Sequence, residues 1–376
     1  MRVTNSMLVS NLMYNLNGSM NRMDKLNSQN TSGRKYGHIS DDPIALIYSQ
    51  AARNKMARLD NYIRTVGTAQ DWLLQAEAGA MELQSTLVAA YEAAVDAATD
   101  AKGDGSDSDK QNIGAMVAQL RNHFLDTLNA TFGDKFVYGG YNTPGDPTKN
   151  LNDRSVKAFT VEMMDIGGVQ TPRLFYNGFD LSQFDGMSLE DYQNNFLNPQ
   201  TEPPGFDPDN PSTADLEYMN AMAFQRLRGD ILTFDVGTGV SMPVTMNGIE
   251  LVLFTTPGED GKMIIRNAYD VMQGLYQLCD DGAPAEQISS MIKPLQDAQN
   301  HLLTKTAEIG GRVRRLELLE ARYTQDAINY EQMRSDAEDA DMAEVILQLK
   351  MAEAIHQAAL SAGARIIQPT LMDFLR

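Results

Sequence analysis

The side chains that could do chemistry in this sequence are few and scattered. The four histidines are His38, His123, His301 and His356, and the single cysteine is Cys279. No histidine has another histidine or Cys279 at metal-ligand spacing, and the motifs HExxH, GxSxG and GxxxxGKS/T do not occur. We therefore predict that the chain is not an enzyme and has no catalytic residues, no metal site and no cofactor. We expect surface or interface roles for the histidines.

Cys279 lies in the helical stretch VMQGLYQLCDD, where a cysteine usually behaves as a small buried hydrophobic residue. Because it is the only cysteine, the chain cannot form an internal disulfide or a zinc site built on several thiolates. We predict that Cys279 is a core residue.

Two acidic clusters could bind cations or start helices. The loop from Asp104 to Asp109 does not fit an EF-hand, because neither register supplies Gly at the sixth position and Glu at the twelfth. We expect Asp107 and Asp109 to cap the next helix. Acidic residues before an apolar run complement the dipole at a helix start. We predict a helix start at the second cluster, which comprises Asp336, Glu338, Asp339, Asp341 and Glu344.

The formal net charge of −19 argues against nucleic acid and anionic membranes as partners, since both require clustered Lys and Arg. Polar Asn and Ser interrupt every apolar run near the N-terminus, so no cleaved signal peptide is predicted. No window approaches the roughly 20 apolar residues of a membrane span. These features predict a protein with neither nucleic acid nor membrane as a partner.

The elements that must position any site are long helices at the two ends of the chain. Apolar residues recur at steps of three and four from Met56 through Ala94, and again from Ile288 through Tyr330. Such stripes give each helix one apolar seam, and we expect the two helices to pair in a coiled-coil-like hairpin. Composition predicts a turn at 102–109 and a shorter helix with Ile113 to Phe124 on one face.

The middle of the chain has a different composition. KAFTVEMM, TPRLFYNG, RGDILTFDVG and IELVLFTT are short β-type runs, separated in part by turn residues such as Asn247-Gly248. The Pro-rich run 198–213 predicts an exposed loop. The predicted fold is mainly α with an inserted β-rich domain. The predicted domains are a terminal region, 1–42 with 340–376; a helical bundle, 43–141 with 262–339; and the insert, 142–261.

The two chain ends carry apolar residues that a single helix cannot bury. An isolated amphipathic helix is marginal in water, so we expect the ends to be disordered in the monomer and ordered by neighbouring subunits. The candidate assembly residues are Leu12, Leu16, Met20, Met23, Val345, Leu349, Ala352, Ile355 and Ala359.

Two segments resemble a known family. TSGRKYGHISDDP, beginning at Thr31, resembles the entry loop of the flagellin superfamily, and IGGRVRRLE from Ile309 with the stretch from Arg334 onward resembles the flagellin tail. The matched motif residues are Gly33, Arg34, Ser40, Asp41, Asp42 and Pro43. The form SDDP, the segment LNATFGDKFVYGGYNT and the run GTGVSMPVTMNGIE are similar to the member of this superfamily that joins hook and filament.

The resemblance implies a non-catalytic structural subunit of the bacterial flagellum, exported through the flagellar type III apparatus to the cell exterior without a cleaved signal. The implied partners are further copies of itself in a ring, flagellin, the preceding hook-associated protein and an export chaperone. A flagellin variant of the filament is an alternative within the family, and an adhesin on a flagellin scaffold is an alternative outside it. Residues 142–261 contain no His or Cys, which argues against an enzyme there.

Overall fold

The computed structural model describes residues 5–99, 107–133, 135–140, 157–166, 168–198, 203, 212–258 and 260–374. Long helices come from both ends of the chain, and short strands lie in the middle, so the predicted fold class is confirmed. Most of the predicted loop at 198–213 and most of the predicted turn at 102–109 lie outside the described residues. None of the described helices is both long enough and apolar enough to span a membrane.

Five of the described helices are longer than 20 residues, and the others are shorter. The helices are α1 (Asn5–Ser32), α2 (Pro43–Ala98), α3 (Asp107–Leu128), α4 (Leu189–Tyr192), α5 (Thr213–Gly229), α6 (Gly248–Val252), α7 (Ala268–Asp280), α8 (Ala285–Ser289), α9 (Ile292–Glu338) and α10 (Met342–Phe374). The strands are β1 (Thr131–Phe132), β2 (Lys135–Phe136), β3 (Phe159–Ile166), β4 (Val169–Tyr176), β5 (Phe179–Asp180), β6 (Thr233–Gly237), β7 (Val240–Pro243), β8 (Leu253–Pro257) and β9 (Met263–Asn267).

The described strands form four small antiparallel sheets. β3, β4 and β5 make a three-stranded sheet in that order, with Phe159 opposite Tyr176 at one end of the β3–β4 ladder. The pairs β1–β2, β6–β7 and β8–β9 are two-stranded. KAFTVEMM and TPRLFYNG are therefore strands as predicted, and a 3₁₀ turn at Ser182–Phe184 follows β5.

The chain divides into two compact units. The terminal unit contains residues 1–61 and 321–376, and the central unit contains residues 62–320. The insert that we predict at 142–261 begins outside the described residues, and its independence as a domain stays a prediction.

The apolar stripes of α2 and α9 are buried in the central unit, as their spacing predicted. Val66, Leu73 and Leu87 of α2 and Leu302 and Ile309 of α9 are almost completely inaccessible to solvent. The Gln299 side chain donates a hydrogen bond to the Leu87 carbonyl at 3.0 Å, and Gly310 approaches Glu77. The two helices therefore lie side by side and antiparallel, which confirms the predicted pairing.

Two local predictions in the middle of the chain were wrong. Asn247-Gly248 is not a hairpin turn: the Asn247 side chain accepts a hydrogen bond from the Ile249 amide at 2.9 Å and so caps α6. IELVLFTT is accordingly helical in its first half and becomes a strand only at Leu253. Helix α5 was not predicted, although Ser212 and Asp215 form a capping box at its start.

Candidate functional site

The two ends of the chain pack as an antiparallel helix pair in the terminal unit. α1 lies along α10, and Gly363 comes so close to Leu12 that an added Cβ would lie 2.7 Å from the Leu12 Cδ2 atom. Leu26 of α1 and Val345 and Ala352 of α10 are buried. Each helix therefore contributes one narrow apolar seam to the pair, because its apolar residues recur at steps of three and four.

The structure places most of the predicted assembly residues on this seam. Val345 and Ala352 are buried, and five others are half-buried, namely Leu12, Leu16, Met23, Leu349 and Ala359. Met20 and Ile355 stay largely exposed, at 54% and 57% of their surface. A role of these nine residues in assembly stays a prediction.

A second set of apolar side chains on the same two helices is exposed. We call it the outer row; Met20 and Ile355 were among the predicted assembly residues, whereas the other members were not predicted because they lie off the single stripe that the spacing indicates on each helix. Its members besides Met20 and Ile355 are Met13, Tyr14, Ile346, Leu347, Met351 and Leu360. Exposed apolar residues are normal when scattered, but several on one helix pair mark an interaction surface.

The loop between α1 and α2 carries the family motif, and its residue types have physical reasons. Gly33 ends α1 with a positive φ of 68° and donates its amide to the Gln29 carbonyl, a conformation that suits glycine at a helix C-terminus. Asp42 accepts hydrogen bonds from the Ile44 and Ala45 amides, and Pro43 occupies the first helical position. The motif therefore ends one helix and starts the next.

Asp41 fixes the shape of this loop. Its carboxylate accepts hydrogen bonds from the Lys25 ammonium at 2.9 Å and from the Gly37 and His38 amides. The Lys25 hydrogen bond, followed by those from the two amides, lowers the pKa of Asp41 to about 2. Ser40 beside it is exposed. The loop is therefore held against α1 by a carboxylate that stays ionised.

A second contact, which we call the terminal clasp, joins the α1–α2 region to the junction of α9 and α10. The Glu338 side chain is buried and lies 2.5 Å from the Arg53 Nη2 atom, 2.9 Å from the Arg34 Nε atom and 3.0 Å from the Ser49 hydroxyl. Burial alone would raise the pKa of Glu338, but the hydrogen bonds from Arg53 and Ser49 and the charge of Arg34 lower it.

Backbone hydrogen bonds complete the terminal clasp. The Lys35 amide donates to the Glu338 carbonyl and the Ala340 amide donates to the Gly33 carbonyl, both at 2.8 Å. The Lys35 ammonium also donates to the Asp336 carbonyl. Arg34 of the motif therefore has a partner some 300 residues away in the chain, which a single sequence does not reveal.

The second acidic cluster was predicted to start a helix, and this was only partly right. Asp341 accepts hydrogen bonds from the Ala343 and Glu344 amides and so caps α10, whose first turn contains Glu344. Asp336 and Glu338 instead end α9. The cluster therefore spans two helices, because the chain turns at residues 339–341.

The histidines and Cys279 do not come together. Cys279 is buried as predicted, and burial raises the pKa of its thiol. A ring nitrogen of His301 lies 2.7 Å from the backbone carbonyl oxygen of Glu250, and burial lowers the pKa of His301. The His123 ring lies 3.1 Å from the Glu82 carboxylate. Within the part of the chain that the structure describes, no group of three or more His, Cys, Asp or Glu could hold a metal ion.

Comparisons with known proteins agree with the resemblance. Residues 3–143 match the family described as the bacterial flagellin N-terminal helical region. The flagellar hook-associated protein 3 of Salmonella typhimurium is 24% identical over 148 residues, which are 39% of this chain and 46% of that protein. The chain thus spans less than half the length of this relative.

Solved structures of flagellar proteins superpose on most of the chain, and one of them, with a TM-score above 0.5, shows a similar fold. A protein from Vibrio parahaemolyticus assigned as a flagellar hook-associated protein superposes with a TM-score of 0.52 at 15% identity and covers 80% of this chain and 100% of its own. The flagellar junction protein FlgL of Legionella pneumophila has a TM-score of 0.49 at 9% identity and covers 78% of this chain and 100% of its own. Residues 3–143 match the bacterial flagellin N-terminal helical region, and the chain is similar to hook-associated protein 3 over 148 residues.

Proposed function

We propose that this chain is a structural, non-catalytic subunit of the bacterial flagellum that joins the hook to the flagellin filament. The observation that carries the proposal is the α1–α10 pair: it keeps one apolar seam for itself and exposes the outer row to solvent. An exposed apolar row on paired chain ends suits a protein that buries these side chains in contacts with other subunits. The similarity to hook-associated protein 3 supports a position of these subunits at the hook end of the filament.

The partners follow from this position. Further copies of the chain would complete a ring, the preceding hook-associated protein would contact one side of that ring, and flagellin would contact the other. Many weak contacts on one lattice add through multivalency, so no single contact needs high affinity. We also propose export through the flagellar type III apparatus to the cell exterior, assisted by a chaperone that protects the exposed ends.

A flagellin variant of the filament is the second candidate. The match of residues 3–143 supports this candidate, since the matched family is named after the N-terminal helical region of bacterial flagellin. The two candidates differ in what their loss does: a junction subunit is needed for every filament, whereas a filament variant can be replaced by another flagellin. An adhesin on a flagellin scaffold would also leave filament attachment intact when it is lost.

Deletion of the gene tests the junction function. We expect hooks without attached filaments and flagellin released as monomer into the medium, because exported flagellin would lack a lattice to polymerise on. Electron microscopy of the cells and immunoblots of the medium measure both effects. Filaments of normal length on the deletion strain would contradict the proposal.

Complementation then tests the outer row. Ile355→Asp places a charge on an exposed apolar position, so we expect it to leave the α1–α10 pair folded but to abolish filament attachment. Leu349→Asp places the charge on the half-buried seam and should also abolish attachment, because an unpaired charge there disrupts the pair. Gln357→Asp, on the exposed face of the same helix, is the matched control and should restore filaments.

A further inference from the structure

A group of carboxylates lies where the β3–β4–β5 sheet meets α7 in the central unit. Asp180 ends β5, Asp185 follows the 3₁₀ turn, and Asp270 lies in the first turn of α7. Two guanidinium groups accompany them, from Arg173 of β4 and Arg266 of β9. We call these five side chains the carboxylate cluster.

The two arginines of the cluster are paired with two of its three carboxylates. Arg173 Nη1 lies 2.9 Å from Asp180 Oδ2, and Arg266 Nε lies 2.7 Å from Asp185 Oδ1. Among the ion pairs of the described residues, none includes Asp270. The cluster therefore holds three acidic groups and two cations, and Asp270 is the acid left over.

Among the described residues, the Asp270 carboxylate accepts one hydrogen bond, from Ser182. The Ser182 hydroxyl accepts from the Leu174 amide at 2.9 Å and donates its own proton to Asp270 Oδ1 at 3.0 Å. Asp270 Oδ2 is buried and has no hydrogen-bond partner among the described residues. The Ser182–Asp270 bond thus connects the turn after β5 directly to α7, and half of the Asp270 carboxylate is left unsupported.

An ionised Asp270 is unfavourable at this position. Burial is the main cause that raises the pKa of Asp270 to about 7; the Ser182 hydrogen bond opposes it, the charges of Asp185 and Asp180 add to it, and the charge of Arg173 opposes it. A proton on Asp270 therefore supplies the positive charge that the cluster lacks, at a pH where an ordinary aspartate is ionised.

α3, β4 and β9 pack against α7 and carry charged groups near its first half. α3 contributes Arg121, which lies over the rings of Tyr269 and Tyr276 and hydrogen-bonds to Gln273. The titratable and charged groups that face this part of α7 are Arg121, Arg173, Asp180, Asp185, Arg266 and Tyr269.

We propose that the Ser182–Asp270 contact is a proton-operated latch that holds the β3–β4–β5 sheet on α7. With Asp270 protonated, the turn after β5 stays seated and the cluster is neutral. Loss of the proton leaves a buried carboxylate with one oxygen unpartnered beside Asp180 and Asp185, and the cost of burying that charge, with repulsion from the two aspartates, loosens the turn and the β4–β5 end of the sheet. The latch is a property of the fold and does not depend on the proposed place of the chain in the flagellum.

The sign of the pH dependence follows from linkage. A carboxyl group whose pKa is raised in the closed state binds more protons there than in the open state, so opening becomes easier as pH rises and levels off above the raised pKa. With a closed-state pKa of about 7 and an ordinary value of 3.8 when open, opening increases about tenfold between pH 6 and pH 8.

Amide hydrogen exchange of the full chain at pH 6 and pH 8, corrected for intrinsic exchange rates, tests the latch. In peptides covering 173–184 and 266–275 we expect the opening constant of the wild type to rise about tenfold. Asp270→Asn cannot ionise, and its opening constant should change less than about twofold. An unchanged wild-type opening constant, or a tenfold rise that persists in Asp270→Asn, overturns the proposal.

Two further variants keep the test decisive. Asp297→Asn is the matched control: Asp297 also accepts a hydroxyl hydrogen bond, from Thr256, but has a cation partner in Lys293, so the wild-type rise should remain. Ser182→Ala removes the hydrogen bond that favours ionised Asp270. The pKa of Asp270 should therefore rise, and opening should level off at a higher pH. If Asp270→Asn does not fold, a midpoint in Ser182→Ala that stays at the wild-type value overturns the latch.

Discussion

The Tyr138 side chain depends on the absence of a side chain at Gly79. Its hydroxyl donates a 2.6 Å hydrogen bond to the Ala76 carbonyl of α2, and a Cβ added to Gly79 would lie 2.5 Å from that hydroxyl. Tyr176 in turn donates to the Tyr138 carbonyl, and the Gly248 amide donates to the same oxygen. Tyr138 is therefore an anchor between α2, β4 and α6.

We predict that two glycine-to-alanine changes on α2 have opposite effects on stability. Gly79→Ala should lower the free energy of unfolding by about 1–3 kcal/mol, because it displaces a buried tyrosine and breaks its hydrogen bond. Gly67→Ala is the matched change at a helical position with no atom within 4 Å of the new Cβ, and it should raise stability by up to about 1 kcal/mol. Urea unfolding measures the free energy of unfolding of both variants. Equal changes in the two variants would contradict the role of Tyr138 as an anchor.

The terminal clasp shows which residues could be predicted from sequence and which could not. Gly33, Asp42 and Pro43 have local roles at helix ends, so their types alone indicate where α1 stops and α2 starts. Glu338 could not be assigned, because its partners Arg53 and Ser49 are 285 and 289 residues away. The spacing of residues in a sequence indicates contacts within one helix or turn, whereas contacts between residues far apart in the chain become visible only in the folded structure.

At the scale of elements, the long helices could be predicted from the sequence and α5 could not. The stripes of α2 and α9 were predicted because each keeps one buried face over many turns. α5 buries only Asp215, Ala221 and Phe224 and leaves Leu216, Met219 and Met222 exposed, so its apolar residues mark no single face. Its capping box was the available signal.

We predict that α1 and α10 are the least stable elements of the isolated chain. Each buries one narrow seam, and a lone helix pair is marginal in water. Limited proteolysis should trim residues up to about 40 and from about 340 and leave residues 62–320 resistant. A monomer resistant at both ends would contradict this. The terminal clasp should slow the trimming, because it ties both ends to α2.

Glu338→Gln tests the contribution of the terminal clasp to that resistance. We expect a local loss of about 1–3 kcal/mol, seen as faster cleavage in the α1–α2 loop. Because the pKa of Glu338 is lowered, its stabilisation is present above the ordinary value of 4.5 and is lost as pH falls, so variant and wild type should converge in acid. Glu331→Gln, an exposed partner of Arg334, is the control and should cost less than about 1 kcal/mol.

At the scale of the whole molecule, charge is divided unequally between the two units. Residues 1–61 contain eight Lys or Arg and four Asp or Glu, and residues 321–376 contain five and nine, so the terminal unit has no net charge. The central unit therefore carries the entire net charge of −19. Copies of the terminal unit can pack without net repulsion, whereas copies of the central unit repel one another.

This division predicts how salt affects self-association of the full chain. Salt screens repulsion between central units, with a Debye length of about 10 Å at 0.1 M, and has little net charge to screen on the terminal unit, where apolar contacts of the outer row drive association. We therefore expect association to strengthen as NaCl rises from low to moderate concentration, measured by sedimentation velocity.

Exposed acids of the central unit offer the matched test: a triple variant, Glu162→Gln, Glu217→Gln and Asp281→Asn, removes three negative charges and should associate at lower salt. Ile355→Asp should stay monomeric at every salt concentration, because screening its added charge cannot restore the apolar contact that is lost. Association that weakens with added salt would show that ion pairs, and not the outer row, hold the copies together.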